Sequence, residues 1–254
     1  MQKIALITGA SSGIGEAAAT LLAQNGFDLI LTARRSEMLK KLASKIVAET
    51  GRKVLELVFD VRSLPSVQKN IESLRNGWEN IDVLVNNAGL AAGFNNVQEG
   101  LVDDWERMID TNIKGLLYVS KAVIPLMIPR NKGHILNIGS IAGKEVYPNG
   151  NVYCGTKAAV DSITKGMRIE LLPHNIRVSS ICPGAVETEF SIIRFHGDKD
   201  RADKVYKGFS PLYAADVADA ILWVVTRPPH VNINDMLIMP TAQANATTIF
   251  RKAE

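Results

Sequence analysis

Short, continuously apolar runs recur along the chain, each followed by a longer stretch whose apolar positions have helical spacing. KIALIT (3–8), FDLILTA (27–33), KVLELVF (53–59), IDVLVNN (81–87), GHILNIG (133–139) and IRVSSIC (176–182) are such runs. A strand that is apolar without alternation is covered on both faces, the condition of a parallel sheet between two helical layers. DMLIMP (235–240) supplies a seventh run. The segments between them predict helices over 14–25, 36–49, 64–78, 103–130 and 152–172. Strand–helix alternation of this kind predicts an α/β fold with a doubly wound parallel sheet of seven strands and helices on both faces.

No linker, low-complexity stretch or internal repeat interrupts the pattern, so residues 1–254 are expected to form one domain. The least regular stretch, 185–210, follows the sixth run, where open α/β sheets put ligand-binding loops, and is expected to cover a substrate. A net charge of +3 is too small for a nucleic-acid surface. Cys154 and Cys182, with the scattered His134, His174, His196 and His230, offer neither a disulfide framework nor metal-ligand spacing, so no metal is expected. The apolar run Ile4–Ile7 is too short for a signal peptide, and no stretch approaches the ~18 apolar residues of a membrane span. A soluble, cytoplasmic protein without nucleic-acid or membrane partners is the expectation.

TGASSGIG, from Thr8 to Gly15, directly follows the first run and opens the first helix. Glycines at such a turn let the backbone approach a pyrophosphate, whose charge then faces the helix's first N–H groups. A plain glycine-rich turn is the alternative. In strand–turn–helix context Gly9, Ser11, Ser12, Gly13, Ile14 and Gly15 point to a nucleotide and to a Rossmann-type sheet. Where an NAD site carries an acidic residue for the ribose 2′-hydroxyl, TARRSE has Arg34 and Arg35. A guanidinium suits a phosphate, which predicts NADP(H); two solvated arginines would be the bland reading.

YCGTK sets Tyr153 four residues before Lys157, on one face if the stretch is helical. They read either as a catalytic couple or as a packed tyrosine beside a solvated lysine. An ammonium ~4 Å away, at an effective dielectric of ~20, would favour the phenolate by roughly 4 kcal/mol, enough to bring a phenol of pKa about 10 to about 7. Cys154 points about 100° away around such a helix and reads as core. Ser140 could equally be a polar residue opening a loop, and Asn112 is a poor helix former inside a predicted helix.

With TGASSGIG, NNAG (86–89), Ser140 and YCGTK in this order, the chain resembles the short-chain dehydrogenase/reductase family over essentially its whole length. The resemblance implies a catalytic set of Asn112, Ser140, Tyr153 and Lys157, with Asn112 holding water that leads to Lys157. It implies cofactor contacts from Asp60 and Val61, from Asn87, Ala88 and Gly89, from Tyr153 and Lys157, and from Pro183, Gly184, Val186 and Thr188 in PGAVETEF. FSIIRFHGD, DVADAILWVVTRPPHVNIN and a glycine-free last strand followed by Gln243 are similar to the family's NADP-dependent 3-hydroxy acid dehydrogenases. That branch implies a small hydroxy acid or its carbonyl partner as substrate. Arg194 is then the candidate for its carboxylate, with Tyr147 lining the pocket beside Ser140 and Tyr153. A carbonyl or 3-oxoacyl reductase, or a non-catalytic NADP sensor, are the alternatives. The family also implies a homotetramer built on helices 103–130 and 152–172.

Overall fold

The computed structural model describes residues 3–252. β1 (Lys3–Thr8), α1 (Gly13–Gln24), β2 (Phe27–Ala33), α2 (Ser36–Thr50), β3 (Val54–Val58), α3 (Leu64–Glu72) and β4 (Val83–Asn86) form the first half. α4 (Val102–Ile109), α5 (Leu116–Met127), β5 (Gly133–Ile138), α6 (Asn151–Glu170) and β6 (Ile176–Pro183) follow. After β6 come β7 (Val186–Glu187), α7 (Phe190–Arg194), α8 (Lys199–Tyr206), β8 (Leu212–Tyr213), α9 (Ala214–Val225) and β9 (Asp235–Ile238).

Seven strands pair in the order β3-β2-β1-β4-β5-β6-β9, all parallel, as the apolar runs predict. Successive residues of β1 divide between two cores: Ala5 and Ile7 pack with α1, α2 and α9, while Ile4 and Leu6 pack with α3, α5 and α6. The period-2 alternation is therefore present, but both of its faces are apolar, which is why the sequence shows none. The strand order reverses between β1 and β4, so the loops after these two strands diverge and leave a crevice at their carboxyl ends.

Two predicted helices differ from those found. The helix expected over 64–78 stops at Glu72, because Asn76 and Gly77 take left-handed backbone (φ 59° and 92°) that a helix cannot use. The helix expected over 103–130 is broken by a π turn, Asp110–Gly115, between α4 and α5. Such a bulge inserts one extra residue and turns the following helix. At its end Gly115 lies so near Val61 that a Cβ would sit 2.8 Å from the valine Cγ2. The segment 185–210 is more regular than expected: it holds α7 and α8, and Val186–Glu187 pairs with Leu212–Tyr213 in a separate parallel ribbon. Tyr206 Oη closes it on itself, donating to Val186 O at 2.8 Å with Ser191 Oγ 2.7 Å away. No described helix is long and apolar enough to cross a membrane.

Candidate active site

The crevice is a cleft of about 720 Å³, within the size range of cofactor sites. Every residue expected at the site lines it except Gly15 and Asn112. Gly15 sits beneath the loop, where a Cβ would come within 2.4 Å of Gly9 O. Asn112 lies behind the wall.

At one end the loop after β1 is sewn to the loop after β4. Thr8 Oγ1 accepts the N–H groups of Asn87 and Ala88 at 3.0 and 2.9 Å, and Asn87 Nδ2 donates to Thr8 O and Gly9 O. Gly9 takes left-handed backbone (φ 67°), with Asn87 and Ala88 packed 3.0 Å from where a side chain would be. Ser12 is the N-cap of α1 but makes no side-chain capping bond, so the first N–H groups of a twelve-residue helix face the cleft. Uncapped donors at a glycine turn fit a pyrophosphate, and the residues present fit a dinucleotide.

Arg34 and Arg35 stand at the rim, both exposed. Arg35 lies across the loop: Nε donates to Ser11 Oγ (3.2 Å), Nη2 to Ser12 Oγ (2.6 Å) and Nη1 to Glu189 Oε2 (3.1 Å). Glu189 opens α7, so this ion pair links the glycine loop to the segment after β6. Asp60 is clasped by Arg62 (2.6 Å from Nη2); burial works to raise its pKa, but Arg62, helped by Arg34, holds it below the usual carboxylate value.

The other end is buried. Gly143 allows the turn after β5 to rest on α6, with room for only 2.6 Å between a Cβ and Lys157 O, and this brings Ser140 beside Tyr153. Lys157 Nζ donates to Ile138 O at 2.8 Å. The Gly89 Cβ position is 3.2 Å from Asn112 Oδ1 and 3.6 Å from Lys157 Nζ, so the glycine keeps the space between them open. Asn112 spends its carboxamide elsewhere: Oδ1 accepts from Leu90 N, and Nδ2 donates to Leu90 O and Thr156 Oγ1. Its position in the π turn explains why so poor a helix former is there. Cys154 is core, as its angle on the helix predicts.

The expected acidity of Tyr153 needs correction. Burial pushes the phenol well above the usual tyrosine value and Tyr147 adds to this, whereas Arg194 and the hydrogen bond with Ser140 pull it back. Lys157 Nζ, 6.0 Å from the Tyr153 ring centre, gives its hydrogen bond to Ile138 O, and it does not figure among the groups that pull the phenol down. Burial instead draws the lysine down to about 8.

Arg194, on α7, reaches the same end. Its guanidinium carbon is 5.1 Å from the Tyr153 ring centre and 5.4, 5.5 and 5.7 Å from those of Phe94, Tyr147 and Phe190. Nη2 donates to Tyr147 Oη, and Gly93 N donates to Arg194 O at 3.0 Å, anchoring the helix turn over the cleft. Nε is buried with no partner. Sequence reasoning missed Glu189, Phe94 and Phe190. Glu189 and Phe190 both lie inside PGAVETEF, where only the charge of Glu189 opposite Arg35 could have flagged it; Phe94 carried no local signal.

The model of the short chain dehydrogenase family matches residues 3–197. An NADP-dependent 3-hydroxy acid dehydrogenase of Schizosaccharomyces pombe is 45% identical over 98% of this chain and 97% of its own. The closed form of serine dehydrogenase complexed with NADP+ superposes with a TM-score of 0.92 at 44% identity, covering 98% of this chain and all of that one. An alcohol dehydrogenase from the archaeon Thermococcus sibiricus, complexed with 5-hydroxy-NADP, gives 0.84 at 29% identity over 96% and 98%. Matches of this extent and identity show that the chain belongs to the short-chain dehydrogenase family.

Proposed function

We propose that the protein is an NADP-dependent oxidoreductase that interconverts the 3-hydroxyl and 3-oxo forms of a small hydroxy acid. Its NADP-linked action on a CH–OH/C=O pair is the activity of its 3-hydroxy acid dehydrogenase relatives. The observation that carries the acid is Arg194, a half-buried cation in the cleft whose Nε is buried with no hydrogen-bond partner and whose guanidinium lies 5.1 Å from the Tyr153 ring centre. A carboxylate two carbons from the reacting oxygen would supply the missing acceptor.

The glycine loop (Gly9, Ser11, Ser12, Gly13, Ile14, Gly15) holds the pyrophosphate on the N-terminus of α1, and Arg34 and Arg35 meet the 2′-phosphate. Asp60 and Val61 border the adenine, Asn87–Gly89 the ribose, and Pro183, Gly184, Val186 and Thr188 the nicotinamide. When bound, the cofactor supplies or accepts the hydride. Ser140 hydrogen-bonds the substrate oxygen, and Tyr153 gives or takes its proton. Lys157 anchors the ribose and keeps a positive charge near the phenol, while Asn112 fixes the wall through Leu90 and Thr156. Residues 1–254 work as one domain with 185–210 as the substrate cover. A cytoplasmic homotetramer packed through α4–α5 and α6 belongs to the same reading, and sedimentation equilibrium measures its mass.

The deciding assay is NADP+-dependent oxidation of serine, 3-hydroxypropionate, 3-hydroxyisobutyrate and a neutral secondary alcohol. The acids should be preferred in kcat/KM, and Arg194→Ala should raise KM for them and spare the alcohol. Preference for the alcohol would favour a general carbonyl reductase. NADPH binding without turnover on any carbonyl would favour a sensor. NADPH should exceed NADH in kcat/KM; equality of the two would defeat the roles given to Arg34 and Arg35.

A further inference from the structure

α7 ends in a left-handed turn that its sequence does not favour. Gly197 N donates to Ile192 O and His196 N to Ile193 O, at 2.8 and 3.2 Å, the paired bonds that close a helix through a left-handed residue. That residue is His196, with φ 54°. Glycine or asparagine suits such a position, because a larger side chain strains it. Helix termination therefore does not account for the histidine, but its side chain does. His196 Nε2 lies 3.1 Å from Asp104 Oδ2, on α4, and the two form an ion pair when the imidazole is protonated. Asp104 is only 4% exposed, and a carboxylate so deep needs counter-charge. Arg107 Nη1, 3.5 Å from Oδ1, serves its other oxygen. Gly93 lies against this pair: a Cβ there would be 2.9 Å from Asp104 Oδ2, and its N–H is the group that holds Arg194 O.

We propose that the His196–Asp104 pair is a latch that holds the end of α7, and with it Arg194, over the substrate, so that His196 and Asp104 are positioning residues for the reaction. This role rests on the reading of Arg194 as carboxylate anchor. Gly93 N gives the Arg194 backbone one tie, to a loop; the latch adds a second, to a helix. That helix, α4, packs against α6, which carries Tyr153. The latch therefore refers Arg194 to the same framework as the phenol. An acid that bridges Arg194 and Tyr153 needs the span between them fixed, whereas a neutral substrate does not. The strained backbone at His196 is offset by this contact. At the opposite end of α7 Glu189 pairs with Arg35, so the short helix is held by the cofactor loop on one side and by α4 on the other.

The test is NADPH-dependent reduction of malonic semialdehyde, the carbonyl partner of 3-hydroxypropionate, beside a neutral aldehyde. It is run at about pH 6, where an ordinary imidazole is mostly charged. His196→Gly installs the residue that the turn favours and removes the latch. It should raise KM for malonic semialdehyde about fivefold, keep kcat within about twofold and leave the neutral aldehyde unchanged. Tm should stay within about 2 °C of the parent, because relief of strain offsets the lost contact. His196→Lys keeps a cation for Asp104 and should stay within about twofold of the parent in KM. Asp104→Asn should raise the same KM in the parent but not in His196→Gly; equal factors in both backgrounds would mean that the two side chains act separately. A readout without turnover is amide exchange over residues 190–197 of the NADP+-bound protein, which should quicken about tenfold in His196→Gly and not in His196→Lys. Unmoved KM with unmoved exchange in His196→Gly overturns the latch, as does an equal rise of KM in the glycine and lysine variants. If exchange quickens in the glycine variant alone while KM rises alike for both substrates, the latch stands and the carboxylate anchor falls. If Arg194→Ala impairs the acid selectively while His196→Gly changes neither KM nor exchange, the anchor stands and the latch falls.

Discussion

At the cofactor-loop end of the cleft, Arg35 and Glu189 meet with 47% and 48% of their side chains exposed. At the other end Tyr153 and Lys157 are 8% and 7% exposed, and burial displaces the protonation of both. The first pair is in water, where an ion pair contributes about 0–1 kcal/mol and can change partners cheaply. The second is in a setting where a charge cannot form without a nearby counter-charge or hydrogen bond. A ligand that comes and goes is served by the first arrangement. A proton moved at a fixed atom needs the second. Substitutions at the two ends should therefore differ in size and in kind.

The largest effect belongs to the buried end. Tyr153→Phe keeps the ring against Phe190, 5.5 Å between centres, and removes only the hydroxyl. With the acid–base group gone, kcat should fall by about 10³-fold, within the range such groups contribute, while NADPH titrated by fluorescence binds as before. A loss of less than tenfold would show that another group moves the proton.

Next comes the floor of the exposed end. Gly15→Ala puts a methyl 2.4 Å from Gly9 O and 2.6 Å from Asn87 Nδ2, where the first neighbour is backbone and cannot swing away. Overpacking of this kind should cost about 2 kcal/mol and lower Tm by roughly 5 °C. NADPH affinity should fall with it, since the loop and its partner after β4 move together. Unchanged Tm and affinity would mean that the close approach is not structurally required.

Lys157→Met separates stability from activity. The lysine's pKa is depressed to about 8 from 10.5, so the folded state binds this proton less tightly than the unfolded chain does. The cost of burying the ammonium is therefore fully present below pH 8 and disappears as the pH rises to 10.5. Methionine removes that cost but leaves Ile138 O without its donor, an offset of about 1 kcal/mol. The variant should be inactive, yet about 1–2 kcal/mol more stable than the parent at pH 7 by denaturant melts, with the gain shrinking above pH 8. A difference constant from pH 6 to 10.5 would refute the depressed pKa.

What was legible in the sequence divides along the same line. The sheet and the glycine loop were readable because their signals are local: apolar runs without alternation, and three glycines between a strand and a helix. Tyr153 and Lys157 were readable because four residues is one helical turn. Their surroundings were not, since they are set by Lys157 turning to Ile138, nineteen residues away, and by Arg194, forty-one residues beyond Tyr153, lying beside the ring. The break at Asp110–Gly115 was equally hidden. It follows from Asn112 reaching across to Leu90, a contact that the apolar pattern of helix 103–130 does not register.

Glu189→Gln should have the smallest effect and the most selective one. Glu189 occupies Arg35 Nη1 at 3.1 Å, an arm that would otherwise be free for the cofactor's 2′-phosphate. The phosphate carries more charge than a carboxylate and bonds with more oxygens, so it can displace Glu189, but it does so against the existing pair. Removing the carboxylate charge removes that competition. Because the pair is half exposed and screened, the gain is modest: NADP+ and 2′,5′-ADP should bind about threefold more tightly, as measured calorimetrically at low salt. NAD+, which has no phosphate there, should bind unchanged. The gain should fade with added salt, as an exposed pair requires and a buried one would not. If NADP+ and NAD+ tighten alike, Glu189 acts on the shape of the cleft instead of on Arg35. If NADP+ weakens, the ion pair holds Arg35 in place for the phosphate, and the exposed end is more rigidly organised than its solvent exposure implies.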